Sequence, residues 1–338
     1  MLTLEGDSNF GSWSFSDDGE HWLLGFMRGM TGVVVVDGKE ISKGYDANYT
    51  TARLSADGRH WAFVDCAGKI VVDGKELGTF KRASQLTLSA TYGRCAFVYG
   101  EEGKRRVVID GKESGPFEDA SYVRLSADGT HSAFAIQRNK KMLLVLDGQE
   151  KSEHDWIWGL EISGDGKHHA LVANTGRASS VLLDGKELGV HNEFPRALVL
   201  SADGSHCGYV ARTKGQWGLW LDGREVMQVG AAEPAHVRFT PSLDHHLVVV
   251  RGNADSTVYR DAKEVGTFPR VEGATLSPDG RHFALCSQKG LEGALILDGQ
   301  GTHANVLVMS PVFIDGGKRL RYVSYEVGKK VFVVTRRL

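Results

Sequence analysis

Apolar and polar residues alternate along this chain in short runs, and turn-forming residues rather than long polar linkers separate the runs. The stretch from Ser121 to Asp155 shows the arrangement. Tyr122-Val123-Arg124-Leu125-Ser126 alternates with the period of two that marks a half-buried strand. Ala127-Asp128-Gly129-Thr130 supplies a turn, because glycine after aspartate readily takes the positive φ of tight hairpins. His131 to Ile136 reads as a second strand, Met142 to Leu146 as a third, and Asp147-Gly148 turns the chain into a fourth beginning at Gln149. No segment carries the i, i+3, i+4 spacing of a helix over three turns. The pattern predicts an all-β chain.

This grammar recurs about every 37 residues, a period that belongs to propellers, solenoids and arrays. One signature, Leu54-Ser55-Ala56-Asp57-Gly58-Arg59-His60, returns at Ser89, Ser126, Ser163, Ser201, Thr240 and Ser277, with a variant at Ser16 and a degenerate copy around Ile314. The other, an apolar run closed by Asp-Gly-Lys-Glu, starts at Asp37 and returns at Asp73, Asp110, Asp147, Asp184, Asp222, Asp261 and Asp298. Four antiparallel strands per repeat describe a propeller blade, which must stack on its neighbours to bury both faces. Nine copies of the first signature predict nine blades, beyond the usual four to eight, and the spacing leaves no copy to discard. The last unit, 309–338, supplies three strands. Residues 1–7 are expected to complete it by pairing with Val331 to Thr335, so that 1–338 forms a single closed propeller domain. The strand ending in Leu-Ser is expected to be innermost and the strand after Asp-Gly-Lys-Glu outermost.

The Ser-x-Asp-Gly turn followed by an Ala-Phe strand resembles the bacterial WD40-like (TolB-type) β-propeller repeat family. The likeness runs from Ser16 to Gly280, and Thr91-Tyr92-Gly93, Ser242-Leu243-Asp244 and Ile314-Asp315-Gly316 depart from it at the turn. It implies a propeller fold and a binding or interaction platform, and it identifies no ligand. The sialidase Asp-box is also close to this signature. However, glycine directly follows aspartate here, whereas the Asp-box places a residue between them, and that box is itself a structural turn.

Composition narrows the setting. Net charge is -2, with 40 basic and 42 acidic residues well mixed, so the global field favours neither nucleic acid nor an anionic membrane. Met1-Leu2-Thr3-Leu4-Glu5 lacks the basic and apolar regions of a secretory leader. Four scattered cysteines, Cys66, Cys95, Cys207 and Cys286, suit buried free thiols in a reducing compartment, so a cytoplasmic location is expected.

Candidate chemistry must be sought where the repeats differ. The histidines His21, His60, His131, His168, His206, His245 and His282 occupy equivalent places, so they read as hairpin braces rather than a converging site. The Asp-Gly pairs likewise read as turns, since no copy offers the alternating oxygen ligands of a calcium loop. The connections after the second and fourth strands vary, and variable loops on a rigid scaffold usually carry binding residues. Glu153-His154-Asp155-Trp156-Ile157-Trp158 is the richest, followed by Arg212 to Trp217 and Asn192 to Arg196. His154, Trp156, Trp158 and Trp217 are the expected interaction face, tryptophan beside arginine being typical of binding hot spots. Alternation of Trp156 and Trp158 along a strand would instead place at least one in the core. Arg53, Arg124 and Arg238, with Glu161 at the equivalent position, are candidates for a channel that holds an anion, and Arg82, Arg196 and Arg270 for its rim. The alternative for these arginines is pairing with an acid or carbonyl of the neighbouring blade.

No HExxH, GxSxG or glycine-rich phosphate loop occurs. His154, His191, His236 and His303 are too dispersed to predict a metal centre. No catalytic residue, cofactor or metal is expected. The sequence thus points to a non-catalytic scaffold binding a protein, peptide or small anionic ligand. Two alternatives stand beside it: a carbohydrate-active hydrolase or lyase drawing acid and base from Glu153, His154, Asp155 and Glu193, and a purely structural module. The oligomeric state is open.

Overall fold

The structure, a computed structural model, describes residues 10–338 apart from 92, 291, 305–306 and 327–329. These residues form nine antiparallel sheets, one per repeat, each adding its strands in chain order. Eight sheets have four strands. The ninth has three among the described residues, Leu307–Ile314, Arg319–Glu326 and Lys330–Arg337. The fold class is all-β, a nine-bladed β-propeller. Residues 1–7, expected as the fourth strand of the last blade, lie outside the described residues.

The packing explains why the middle strands of each blade lack simple alternation. In the fourth blade, Ser132–Arg138 is buried from Ser132 through Ile136. Phe134 and Ile136 pack with Ala96, Val98 and Val107 of the third blade. Ala133 and Ala135 point the other way, against Ile157, Leu160 and Leu171 of the fifth. A strand with a core on both faces reads as a continuous apolar run. Full burial of a side chain such as Phe134 contributes roughly 1.5–3 kcal/mol. The fourth strand, Gln149–His154, has no blade beyond it and is largely exposed. The chain divides into two compact units, one of residues 10–16 and 20–209, the other of residues 17–19 and 210–338. The second has interblade cores of its own, such as Leu247 and Val249 with Phe283 and Leu285.

The repeated polar residues hold the blade together. At Asp147-Gly148 both residues have positive φ, 50° and 76°, as a type I′ hairpin turn requires. Asp147 then accepts a hydrogen bond from the Ser132 amide (2.8 Å) and meets His131 Nδ1 at 2.8 Å. His131 in turn donates its amide to Ser126 Oγ at 3.0 Å, and that hydroxyl donates to Asp128 at 2.7 Å. The histidine therefore ties the two turns of its own blade. It also seats the next blade, because a Cβ at Gly166 (φ 72°) would fall 2.3 Å from His131 Cβ. The same histidine–aspartate contact recurs at His21–Asp37, His60–Asp73, His168–Asp184, His245–Asp261 and His282–Asp298. Where the histidine is absent, another side chain fills the space: Arg94 under Gly129 and Ile314 under Gly19. In the seventh blade Leu243 stands at the glycine position itself, at φ 61° and buried.

Candidate functional site

The first strands of the blades carry an irregularity that decides which side chains leave the sheet. In the fifth blade, Ile157 pairs with Ala173 and Gly159 with Val172, so Trp158 is the extra residue of a β-bulge. A bulge re-aims a side chain. Ile157 takes the core position, while Trp156 and Trp158 are 38% and 39% exposed. The expectation that alternation buries at least one of the two is corrected: residues two apart share a face, and here that face is the outer one.

These tryptophans join residues of the next connection. The Trp158 ring stacks on Phe194 with centroids 4.6 Å apart and planes inclined by 14°. Arg196 lies over the other end of the group, 4.9 Å from the Phe194 centroid, and Trp156 lies 5.7 Å from Trp158. Trp158 Nε1 donates to Asn174 Oδ1 at 2.9 Å, which fixes the indole. The result is a preformed, half-exposed aromatic column capped by a guanidinium. Beside it Trp156 lines a cavity of about 500 Å³ whose other walls carry Arg82, Arg105, Glu118 and Asp119. Glu118 is committed to the backbone amides of Asn139 and Lys140, and Arg105 donates to the Gly100 carbonyl at 2.7 Å.

The acidic residues next to the tryptophans serve the loop. Asp155 accepts from Lys141 Nζ at 2.5 Å and from the Gly176 amide at 2.6 Å, and the lysine hydrogen bond holds its carboxyl below the usual range. His154 is half-buried, bonded to Ser152 Oγ at 2.9 Å, and burial pushes its pKa down. An aspartate pinned by an ammonium and an amide is a poor proton acceptor.

The inner-strand arginines have separate fates. Arg124 places Nε and Nη2 on the two carboxylate oxygens of Glu161, at 3.2 and 3.0 Å, so the fork that would take an external anion is filled by the neighbouring blade. Arg53 donates to the Ala52 carbonyl at 2.9 Å. Among the described residues Arg238 donates to carbonyls, those of Ala274 (3.0 Å) and Val237 (2.9 Å). Arg270 pairs with Glu272. Of the expected rim residues, Arg82 and Arg196 come near the tryptophans, one through the cavity and one through the column. Trp217 does not belong to an exposed face. It is 5% exposed and packs with Val210, Leu219, Met227 and Val248, because its strand presents it to an interblade core. Phe194, Asn174 and Glu272 escaped selection from the sequence. Phe194 sits within a loop already singled out, whereas Asn174 and Glu272 acquire their importance only through contacts across the blades.

No family model matches the chain, and no curated protein matches it. Many solved structures share the fold. A eukaryotic initiation factor is 12% identical, covers 89% of this chain and 90% of its own, and superposes with a TM-score of 0.58. Sqt1 from Chaetomium thermophilum is 12% identical over 100% of this chain and 98% of its own, with a TM-score of 0.51. An oligogalacturonate lyase in complex with manganese is 11% identical over 100% and 90%, with a TM-score of 0.50. At such identities the likeness is one of fold, and by fold this chain stands among the β-propellers.

Proposed function

We propose that this chain is a non-catalytic interaction scaffold of the TolB-like type that binds a protein or peptide segment at the aromatic column formed by Trp156, Trp158, Phe194 and Arg196. The observation that carries this reading is the exposure of three large aromatic side chains in one preorganised group, at the end of the blades opposite the Asp-Gly turns. The repeated histidines, aspartates and serines are spent on holding the blades, so they compete with no other role. Rigid aromatics lose little conformational freedom on binding, and hot spots built from Trp and Arg lose about 2 kcal/mol or more on truncation. The charged cavity beside Trp156 offers the column a polar margin, and a cytoplasmic setting accords with four cysteines that form no disulfide.

The test is selection of a random peptide library on the intact protein, followed by titration of the recovered peptides. Trp156→Ala with Phe194→Ala should weaken binding at least about thirtyfold. The same pair should lower the unfolding midpoint only modestly, since both residues are half-exposed and lie outside the interblade cores. Trp217→Ala should instead destabilise by about 3–5 kcal/mol, as a buried tryptophan does. Recovered peptides that bind the double variant as well as the parent, or a selection that enriches nothing, would remove the column as the binding surface.

A further inference from the structure

A second cavity, of about 470 Å³, lies in the unit of residues 210–338, between the first strands of the seventh, eighth and ninth blades. Its polar wall carries Arg238, His236 and Glu272, and its apolar wall includes Val308, Pro311 and Val312. Three observations concern the polar wall. Arg238 uses Nε and one Nη1 hydrogen on carbonyls, which leaves the end of its fork, one Nη1 and two Nη2 hydrogens, for another acceptor. Glu272, the acid at the same wall, does not balance it, because its carboxylate already pairs with Arg251 at 3.3 Å and with Arg270. Among the described residues, His236 Nε2 is buried without a hydrogen-bond partner, while its ring lines the cavity. Nε2 itself is shut off from the cavity, so the group that meets an occupant is the open end of the Arg238 fork, beside the half-buried imidazole.

We infer that this cavity is a binding site for a small organic anion with a carboxylate head and an apolar body. The head would sit end-on against the Arg238 guanidinium, next to the His236 ring, and the body would lie against Val308, Pro311 and Val312. The local charge supports the head: Arg238 lines the cavity, and the charge of Glu272 is offset by Arg251 and Arg270. The volume and the apolar wall support the body, since 470 Å³ falls in the range of small-molecule pockets and far exceeds an inorganic oxyanion. The site goes beyond the aromatic column, shares no residue with it, and stands or falls separately. Free His236 is held below its ordinary value by burial and by Arg238, with Arg251 acting in the same sense and Glu272 opposing. A carboxylate bound next to the ring favours the imidazolium electrostatically, so binding takes up a proton and tightens as pH falls.

The experiment uses the full chain and ¹⁹F NMR of 4-fluorobenzoate, with 4-fluorobenzamide as the uncharged isostere and sulfate as an anion without a body. Benzoate should broaden and shift on addition of protein, bind more tightly at about pH 6 than at about pH 8, and outcompete both benzamide and sulfate. Arg238→Gln should weaken it at least about tenfold, the loss expected of a hydrogen bond to a charged group. Val312→Trp, which fills the apolar side and keeps the cation, should weaken benzoate and leave sulfate unaffected. Equal binding of benzoate and benzamide, binding of sulfate alone, a flat pH profile, or an Arg238→Gln variant that binds like the parent while retaining the native unfolding midpoint would each overturn the inference.

Discussion

The contact between the repeat histidine and the next blade's glycine makes a quantitative prediction. Gly166 and Gly148 both occupy the left-handed region, at φ 72° and 76°, so alanine at either should cost about 1–2 kcal/mol in backbone strain alone. Their surroundings differ. A Cβ at Gly148 meets nothing within 4 Å, whereas at Gly166 it would lie 2.3 Å from His131 Cβ and 2.5 Å from its Cγ. His131 cannot swing aside without leaving Asp147 and the turn that this contact anchors. Relief must therefore come from separating the fourth and fifth blades, and overpacking of this kind costs roughly 1–3 kcal/mol. Gly166→Ala should then destabilise by about 2–5 kcal/mol and Gly148→Ala by about 1–2 kcal/mol. Urea unfolding followed by circular dichroism measures both, and a cycle with His131→Gly, which removes the Cβ that makes the closest approach, isolates the contact. Removing the whole side chain, Cβ included, should make Gly166→Ala as mild as Gly148→Ala, a coupling of at least about 1 kcal/mol. Equal losses at the two glycines in the parent background, or a cycle that closes with no coupling, would refute the claim that the histidine seats the neighbouring blade.

Acid should weaken the fold before the carboxylates titrate. His154, His169, His191, His236 and His246 are all held below the ordinary imidazole value, chiefly by burial, so each takes protons more readily in the unfolded chain. Their contribution is complete above about pH 6.5 and is lost as pH falls through that value toward the lower folded-state ones. His168, bonded to Asp184, is raised and contributes in the opposite sense, present below about pH 6.5 and lost as pH rises. Among the described histidines with a resolved shift, five stand against one, so the urea midpoint should drop between about pH 7 and pH 5. His246 is the sharpest case, 7% exposed with neither ring nitrogen hydrogen-bonded, and the eighth blade has Phe283 at the same place. His246→Phe should stabilise by about 1 kcal/mol and reduce the acid loss, and a variant less stable than the parent at pH 7 would contradict this. The thiols offer an independent check of burial. Cys66 is exposed, whereas Cys95, Cys207 and Cys286 are buried, with Cys95 pushed up to about 11 and Cys286 to about 12 by desolvation. Ellman's reagent at pH 8 should therefore modify one thiol in the native protein and all four after unfolding, the exposed Cys66 reacting more slowly than a free thiol because desolvation and Asp46 hold it above the ordinary value.

The chain's own pattern determined the all-β class, the blade unit, the count of nine and the structural role of the repeated histidines and Asp-Gly turns. These are legible because they repeat: hairpin turns and two-sided cores are local or nearest-neighbour requirements, so each blade writes them again. Residues that act once do not announce themselves in this way. Only the tertiary structure revealed that Arg124 is consumed by Glu161 while Arg238 meets carbonyls, although the two are equivalent in the repeat. It also buried Trp217 and turned Trp156 and Trp158 outward, because a bulge shifts the face that alternation assigns. The stack of Trp158 on Phe194 and Arg196 joins residues from successive blades, and no spacing along the strand encodes it. Periodicity specifies which face a side chain takes within its own sheet. What it meets there depends on the neighbouring blade, since a propeller blade completes its surface only by stacking.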